Sequence, residues 1–164
     1  MNRFQMTALA KEKFILEMLQ DEDLVKCLRH PGSGFLEQAP GNPSDLLYKN
    51  IFPTKYIPEV HEDAKSYICM GFNYSPTKTD GRYYTYSYAS FYMFCHKSIV
   101  RTDYGITRPD YMLTRVDDFV LGARGEEWLG QMEFCDGGDE ILDQNGNYVG
   151  VYARYRSVLL HDYR

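Results

Sequence analysis

The sequence predicts one α+β domain, a mainly antiparallel β-sheet with helices packed on one face and a long Tyr-rich hairpin. Three observations predict it. Apolar residues recur at helical spacing near the N-terminus and again over 108–121. Between and after these stretches lie extended runs dense in Tyr, Phe, Val and Thr, residues that suit a pleated, half-buried surface. Gly, Pro, Asn and Asp punctuate the runs, and no repeat or shift in composition divides residues 1–164 into a second domain. A chain of 164 residues is long enough to bury a core of its own.

Taken in order, Thr7 is a candidate cap for a helix ALAKEKFILEMLQ, in which Leu9 or Ala10, Phe14, Ile15, Met18 and Leu19 make one apolar stripe. Asp21 or Asp23 starts a second short helix that points Leu24, Val25 and Leu28 inward and ends at His30-Pro31-Gly32. Residues 30–45, with three Pro and three Gly, read as a surface loop. LLYKNIFPTKYIP carries Pro53 and Pro58, which remove backbone donors and confine it to an edge or an extended approach. SYICMGFN is a strand, and the polar stretch NYSPTKTDGR joins it to the next one as a long hairpin.

That next strand, RYYTYSYASFYMFCHK, organises the chain. Side chains alternate across a strand, so Tyr84, Tyr86, Tyr88, Tyr92 and Phe94 share one face, and Tyr83, Thr85, Ala89, Phe91, Met93 and Cys95 share the other. Both faces are apolar, which predicts that one is core and the other meets a partner. Tyr84, Tyr86, Tyr88 and Tyr92 are the candidate contact residues, because Tyr joins an apolar ring to a polar tip and suits surfaces that are buried on assembly. Residues 82–88 are expected to project beyond the sheet as an arm. Pro109 then opens a helix with Met112, Val116, Phe119 and Val120 inward and Arg115, Asp117 and Asp118 outward, stopped by Gly122. WLGQMEF is a short strand and CDGGDEILDQNGNYVG a connection with an Asn145-Gly146 hairpin signal. In the closing strand, VYARYRSVLL, Val151, Ala153 and Tyr155 alternate with Tyr152, Arg154 and Arg156.

Composition narrows the function. A formal charge of −5 argues against a protein that grips nucleic acid, which needs clustered Lys and Arg, but allows one past which DNA slides. The N-terminus has no apolar run of signal-peptide length, and no stretch is apolar enough to span a membrane. Synthesis in the cytoplasm is therefore expected. Cys27, Cys69, Cys95 and Cys135 form no C-x-x-C pair and read as reduced, small core residues.

The chain offers no catalytic or metal constellation. Cys95 and His96 are adjacent on a strand and point to opposite faces, so they cannot act as nucleophile and base in one site. His30, His61, His96 and His161 lack zinc-ligand spacing. Asp143, Asn145 and Asn147 begin like a calcium loop, but Tyr148 replaces its Gly and Arg154 its closing carboxylate. Gly122, Gly125 and Gly130 follow a helix instead of leading into one, unlike a phosphate loop. No cofactor is expected.

The order of elements resembles the neck or tail terminator (tail completion) proteins of tailed bacteriophages. The resemblance rests on Asn50-Ile51-Phe52-Pro53 leading into 66–73, on Phe94-Cys95-His96 followed by a turn and the helix to Gly122, and on the closing strand at 149–157. It implies a non-enzymatic virion protein made in the bacterial cytoplasm. Such a subunit forms a ring, usually a hexamer, that caps the tail tube, contacts neck or adaptor proteins and lets DNA through its lumen. Two other readings stand beside it. One is a head-completion or adaptor protein of the same neck. The other is a small cytosolic enzyme with a site assembled from distant residues such as Cys135, His161 and Asp162.

Overall fold

The computed structural model describes residues 3–55, 64–79, 82–122, 131–141 and 146–159. Three helices, α1 (Arg3–Gln20), α2 (Glu22–Arg29) and α3 (Arg108–Gly122), lie against one five-stranded sheet. The strands are β1 (Ile51–Phe52), β2 (Ser66–Thr79), β3 (Arg82–His96), β4 (Met132–Ile141) and β5 (Tyr148–Leu159), in spatial order β1-β2-β3-β5-β4. All neighbours are antiparallel except β1 and β2. The expected α+β fold, with helices on one face, is the observed one.

The core follows the two periodicities read from the sequence. Ala10, Phe14 and Met18 from α1, Leu24, Val25 and Leu28 from α2, and Met112, Val116 and Val120 from α3 meet Ile68, Met70, Ala89, Phe91, Met93, Val151, Ala153 and Tyr155. Phe14 stacks near Phe72 and meets Phe91 edge-on at 5.3 Å, an arrangement that aromatic quadrupoles favour. Asp21 caps α2, its Oδ1 accepting from the Leu24 N–H at 3.0 Å, and Glu22 and Asp23 add negative charge to the same end.

Several boundaries differ from expectation. Helix α1 starts at Arg3, so Thr7 is inside it, because Arg3–Met6 contains no residue that stops a helix. Leu9 is 41% exposed and Ala10 takes the inward position. Residues 30–45 are not all surface: Phe35, in a short 3₁₀ turn, is fully buried among Tyr104, Tyr111 and Arg108. Strand β2 continues through the polar stretch to Thr79, and β4 continues through Gly137 and Gly138 to Ile141. In both cases long-range pairing overrides weak local propensity, with a bulge between Phe134 and Asp136 absorbing an extra residue. Asp117 is not simply solvated, since its Oδ1 accepts a 2.6 Å hydrogen bond from the Tyr155 hydroxyl.

Candidate interaction surface

Two pinning side chains fix where α2 ends. A helix leaves its last carbonyls without intrahelical donors. Asn50, just before β1, donates from Nδ2 to Leu28 O at 3.1 Å and to Ser66 O at 2.9 Å, which ties α2 to β2. Arg108, fully buried at the start of α3, donates to Cys27 O (2.7 Å), His30 O (2.8 Å), Pro31 O (3.0 Å), Gly32 O (2.7 Å) and Ile99 O (2.8 Å). Its guanidinium also lies 4.8 Å from the centre of the Phe35 ring. Five backbone acceptors and a ring face take the place of a carboxylate partner for this cation.

The sheet face away from the helices divides into two zones. Near the β3 C-terminus, Tyr67, Cys69, Phe94 and Tyr148 are buried together, with Tyr67 and Phe94 stacked at 5.3 Å. Phe94 was expected beside the contact tyrosines; it shares their face but is fully buried in this cluster, so it is not available to a partner. Further along, Tyr92 stacks on Tyr152 at 6.3 Å, and cations sit on the rings: Lys55 Nζ 5.3 Å from Tyr92 and the Arg154 guanidinium 5.6 Å from Tyr88. Gly71 leaves room for the first of these. A Cβ there would lie 3.0 Å from Lys55 Cε, so a larger residue would push that flexible chain aside from its present path across the sheet. Arg154 also pairs with Asp136, and Arg156 with Glu133 at 3.0 Å, both across the β4–β5 ladder.

Of the expected contact residues, Tyr88 and Tyr92 are half-buried in this second zone. The backbone register puts Tyr84 opposite Thr77 and Tyr86 opposite Ser75, on the same strand face, while their side chains lie outside the described residues. The β3–β5 register ends at Thr85 opposite Leu159, and the hairpin runs on as the pairs Thr77–Tyr84, Lys78–Tyr83 and Thr79–Arg82. Of the expected arm at 82–88, Thr85–Tyr88 pair with β5 and so belong to the sheet, and among the described residues three hairpin pairs lie beyond the last β3–β5 pair.

At the opposite end of the sheet, α3, β4 and β5 enclose a groove of about 490 Å³. Val100, Pro109 and Val149 form apolar wall, Asp110 and Asp139 lie on the helix-facing side of it, and Glu140, one residue on along β4, alternates to the other face of the sheet. Tyr148 borders the groove from β5, while its ring belongs to the cluster with Tyr67 and Phe94 on the other face. No composition or spacing signal pointed to this groove, because it joins residues from Val100 to Val151 through the fold.

The reactive side chains are dispersed. Burial lifts the thiols of Cys27 and Cys95 to about 12, against a weaker lowering by Arg108. Both therefore stay protonated and poorly nucleophilic. Cys95 faces the helices while His96 faces Tyr148 across the sheet, as strand alternation required. Cys135 is half-buried, not core; His161 and Asp162, its expected companions in an enzyme site, lie outside the described residues. No group of three metal-ligating side chains converges among the described residues, and none of the described helices is long and apolar enough to cross a membrane.

The family model for YomW, a phage-derived family name, matches residues 21–157, from the α2 cap to two residues before the end of β5. The chain therefore belongs to the YomW family. Among solved structures, it is similar to a chain from the virion of a native gene transfer agent particle. That match has 11% sequence identity and a TM-score of 0.46, covering 67% of this chain and 78% of that one. No curated protein matches the sequence.

Proposed function

From membership of the YomW family, we propose that the protein is a phage virion component. Its proposed role is at the head–tail junction, as a ring that terminates the tail tube and connects it to the neck. The observation that supports a ring-forming role is the placement of distinct surfaces at opposite ends of one sheet: the β2–β3 hairpin at one end, and the groove walled by α3, β4 and β5 at the other. Different patches that meet head to tail generate a ring where the rotation closes. The chain's formal charge of −5 suits a lumen through which DNA moves without sticking. Tyr84, Tyr86, Tyr88 and Tyr92 are the proposed contact residues of the hairpin and the adjoining face, and neck, adaptor or tail-tube proteins are the proposed neighbours. A head-completion protein of the same neck would use the same surfaces.

Quantitative mass spectrometry of purified particles tests the reading. A copy number of about six to twelve per particle fits a closed ring. Absence from mature particles refutes a virion role and returns attention to an enzyme or an assembly factor.

A further inference from the structure

The two edges of the five-stranded sheet are finished differently. At one edge β1 is two residues long. The Ile68 N–H donates to Asn50 O at 2.7 Å across the parallel β1–β2 pair, so Ile51, the next residue, turns its carbonyl the other way. That outward carbonyl already accepts the Tyr48 N–H at 2.9 Å, from the chain's own preceding turn. At the other edge β4 runs ten residues, Met132–Ile141, and its only ladder among the described residues is with β5. Every second residue of such a strand turns its N–H and C=O away from the sheet, which makes a template for one more strand.

The side chains of β4 define which strand fits. It carries Glu133, Asp136, Asp139 and Glu140 and no Lys or Arg. Glu133 and Asp136 are matched from within, by Arg156 and Arg154 of β5. Asp139 is exposed and Glu140 half-buried, and neither pairs with a cation among the described residues. Asp139, opposite Val151, is on the helix-facing side, where Asp110 lines the same groove; Glu140, opposite Gly150, takes the other side. Towards the start of the strand Phe134 is 56% exposed, its ring beside Gly137. A complementary strand therefore has cations at two consecutive positions, one for each side of the sheet, and an apolar residue for the Phe134 end. A second β4 does not meet that description, since it adds four carboxylates and no cation.

We propose that β4 is a docking edge for an extended segment of a different protein, with two adjacent Lys or Arg residues set against Asp139 and Glu140. Backbone hydrogen bonds supply the affinity, and the carboxylates select the partner and its register. The pairing is antiparallel, the more stable ladder per residue, which puts the cations in the first half of the incoming strand and the apolar residue in the second. The edge is separated from the β2–β3 hairpin by β5, and pairing there holds whether or not copies of the chain close into a ring.

The probe is a fluorescently labelled peptide of about eight residues, within the usual range for a strand. It has an N-terminal Lys-Lys pair followed by alternating Thr and Val, and the full-length chain is titrated into it and followed by anisotropy. It should bind about tenfold or more tighter than the same peptide with Glu-Glu, and D139N/E140Q should weaken it about threefold to tenfold. N-methylating every second peptide residue removes the donors along one edge. One such set should abolish binding and the alternate set should leave it within about twofold, because an added strand pairs along one edge only. Gly137 and Gly138 are adjacent in the ladder, so one of their amides points outward and its hydrogen exchange should slow when the peptide binds. Equal binding by the two methylated sets, or no preference for Lys-Lys over Glu-Glu, overturns the proposal, as does no binding of the parent peptide at about 1 mM. If those amides become protected in the peptide-free protein as its concentration rises, a second copy holds the edge and the proposal is wrong. None of these outcomes touches the ring reading, which particle copy number tests separately.

Discussion

Replacing Arg108 with Met keeps the volume of the side chain and removes every donor. Five carbonyls lose their partner. Those of His30, Pro31 and Gly32 are in part-buried bonds and can turn to water, whereas those of Cys27 and Ile99 are in buried ones and cannot. Each acceptor stranded in the interior costs about 1–3 kcal/mol, so the two together cost about 2–6 kcal/mol. Losing the Phe35 ring contact adds about 1 kcal/mol, and no longer burying a guanidinium returns part of the sum. A net loss of about 3 kcal/mol is expected, which for a domain of this size lowers the melting temperature by roughly 6–12 °C. Arg108→Lys should be intermediate, since an ammonium has three donors and lacks the planar fork that reaches carbonyls on both sides. Urea unfolding followed by far-UV circular dichroism measures all three proteins. An R108M variant within about 0.5 kcal/mol of the parent would refute the reasoning, because the carbonyls would then have found water and the pin would hold nothing.

Asp21 both caps α2 and pairs with Arg115 at 2.8 Å, a contact that holds the guanidinium above its ordinary pKa, so two substitutions should separate the roles. Asp21→Asn keeps the cap and should cost under about 1 kcal/mol, while Asp21→Ala loses both and should cost about 1–2 kcal/mol in the same urea assay. Burial and then the Asp117 carboxylate push the Tyr155 hydroxyl well above the usual phenol range, and Tyr155→Phe should lose about 1–2 kcal/mol by removing a bond to a charged acceptor. The thiols of Cys27 and Cys95 are raised from 9.0 to about 12, so the folded state keeps protons that the unfolded chain releases. Their stabilising effect is complete below about pH 9 and declines as pH rises towards 12, by up to about 1.4 kcal/mol per pH unit per thiol. Cys27→Ser should flatten that decline, and an unchanged slope would mean the thiol ionises equally in both states.

Much of the fold is legible in the sequence because it depends on local pattern. Asp21 followed by Glu22 and Asp23 announces the α2 start, and Val151, Ala153 and Tyr155 announce which side of β5 is core. The less legible parts all depend on partners distant in the chain. Pro76 and the Gly137-Gly138 pair read locally as breakers, and only their cross-strand neighbours, Thr85 and Ala153 with Tyr152, hold them extended. Arg108 reads as an ordinary residue ahead of a helix-opening proline. Its acceptors lie 76 to 81 residues away in the α2 end and the loop after it, apart from Ile99, and no periodicity reports them. Phe35 is hidden for the same reason, inside a loop whose composition is that of a surface.

The pin and the groove are parts of one arrangement. Val100, Thr107 and Pro109 of the groove wall bracket the segment that Arg108 holds: Ile99 O accepts from its side chain, and its backbone N–H donates to Val100 O at 2.9 Å. The wall is thereby fastened to the end of α2, which Asn50 in turn fastens to β2, the strand that forms half of the hairpin. Loss of the Arg108 pin would loosen the wall without altering a single residue that lines it. The expected signature is a lower melting temperature with every groove-lining residue unchanged.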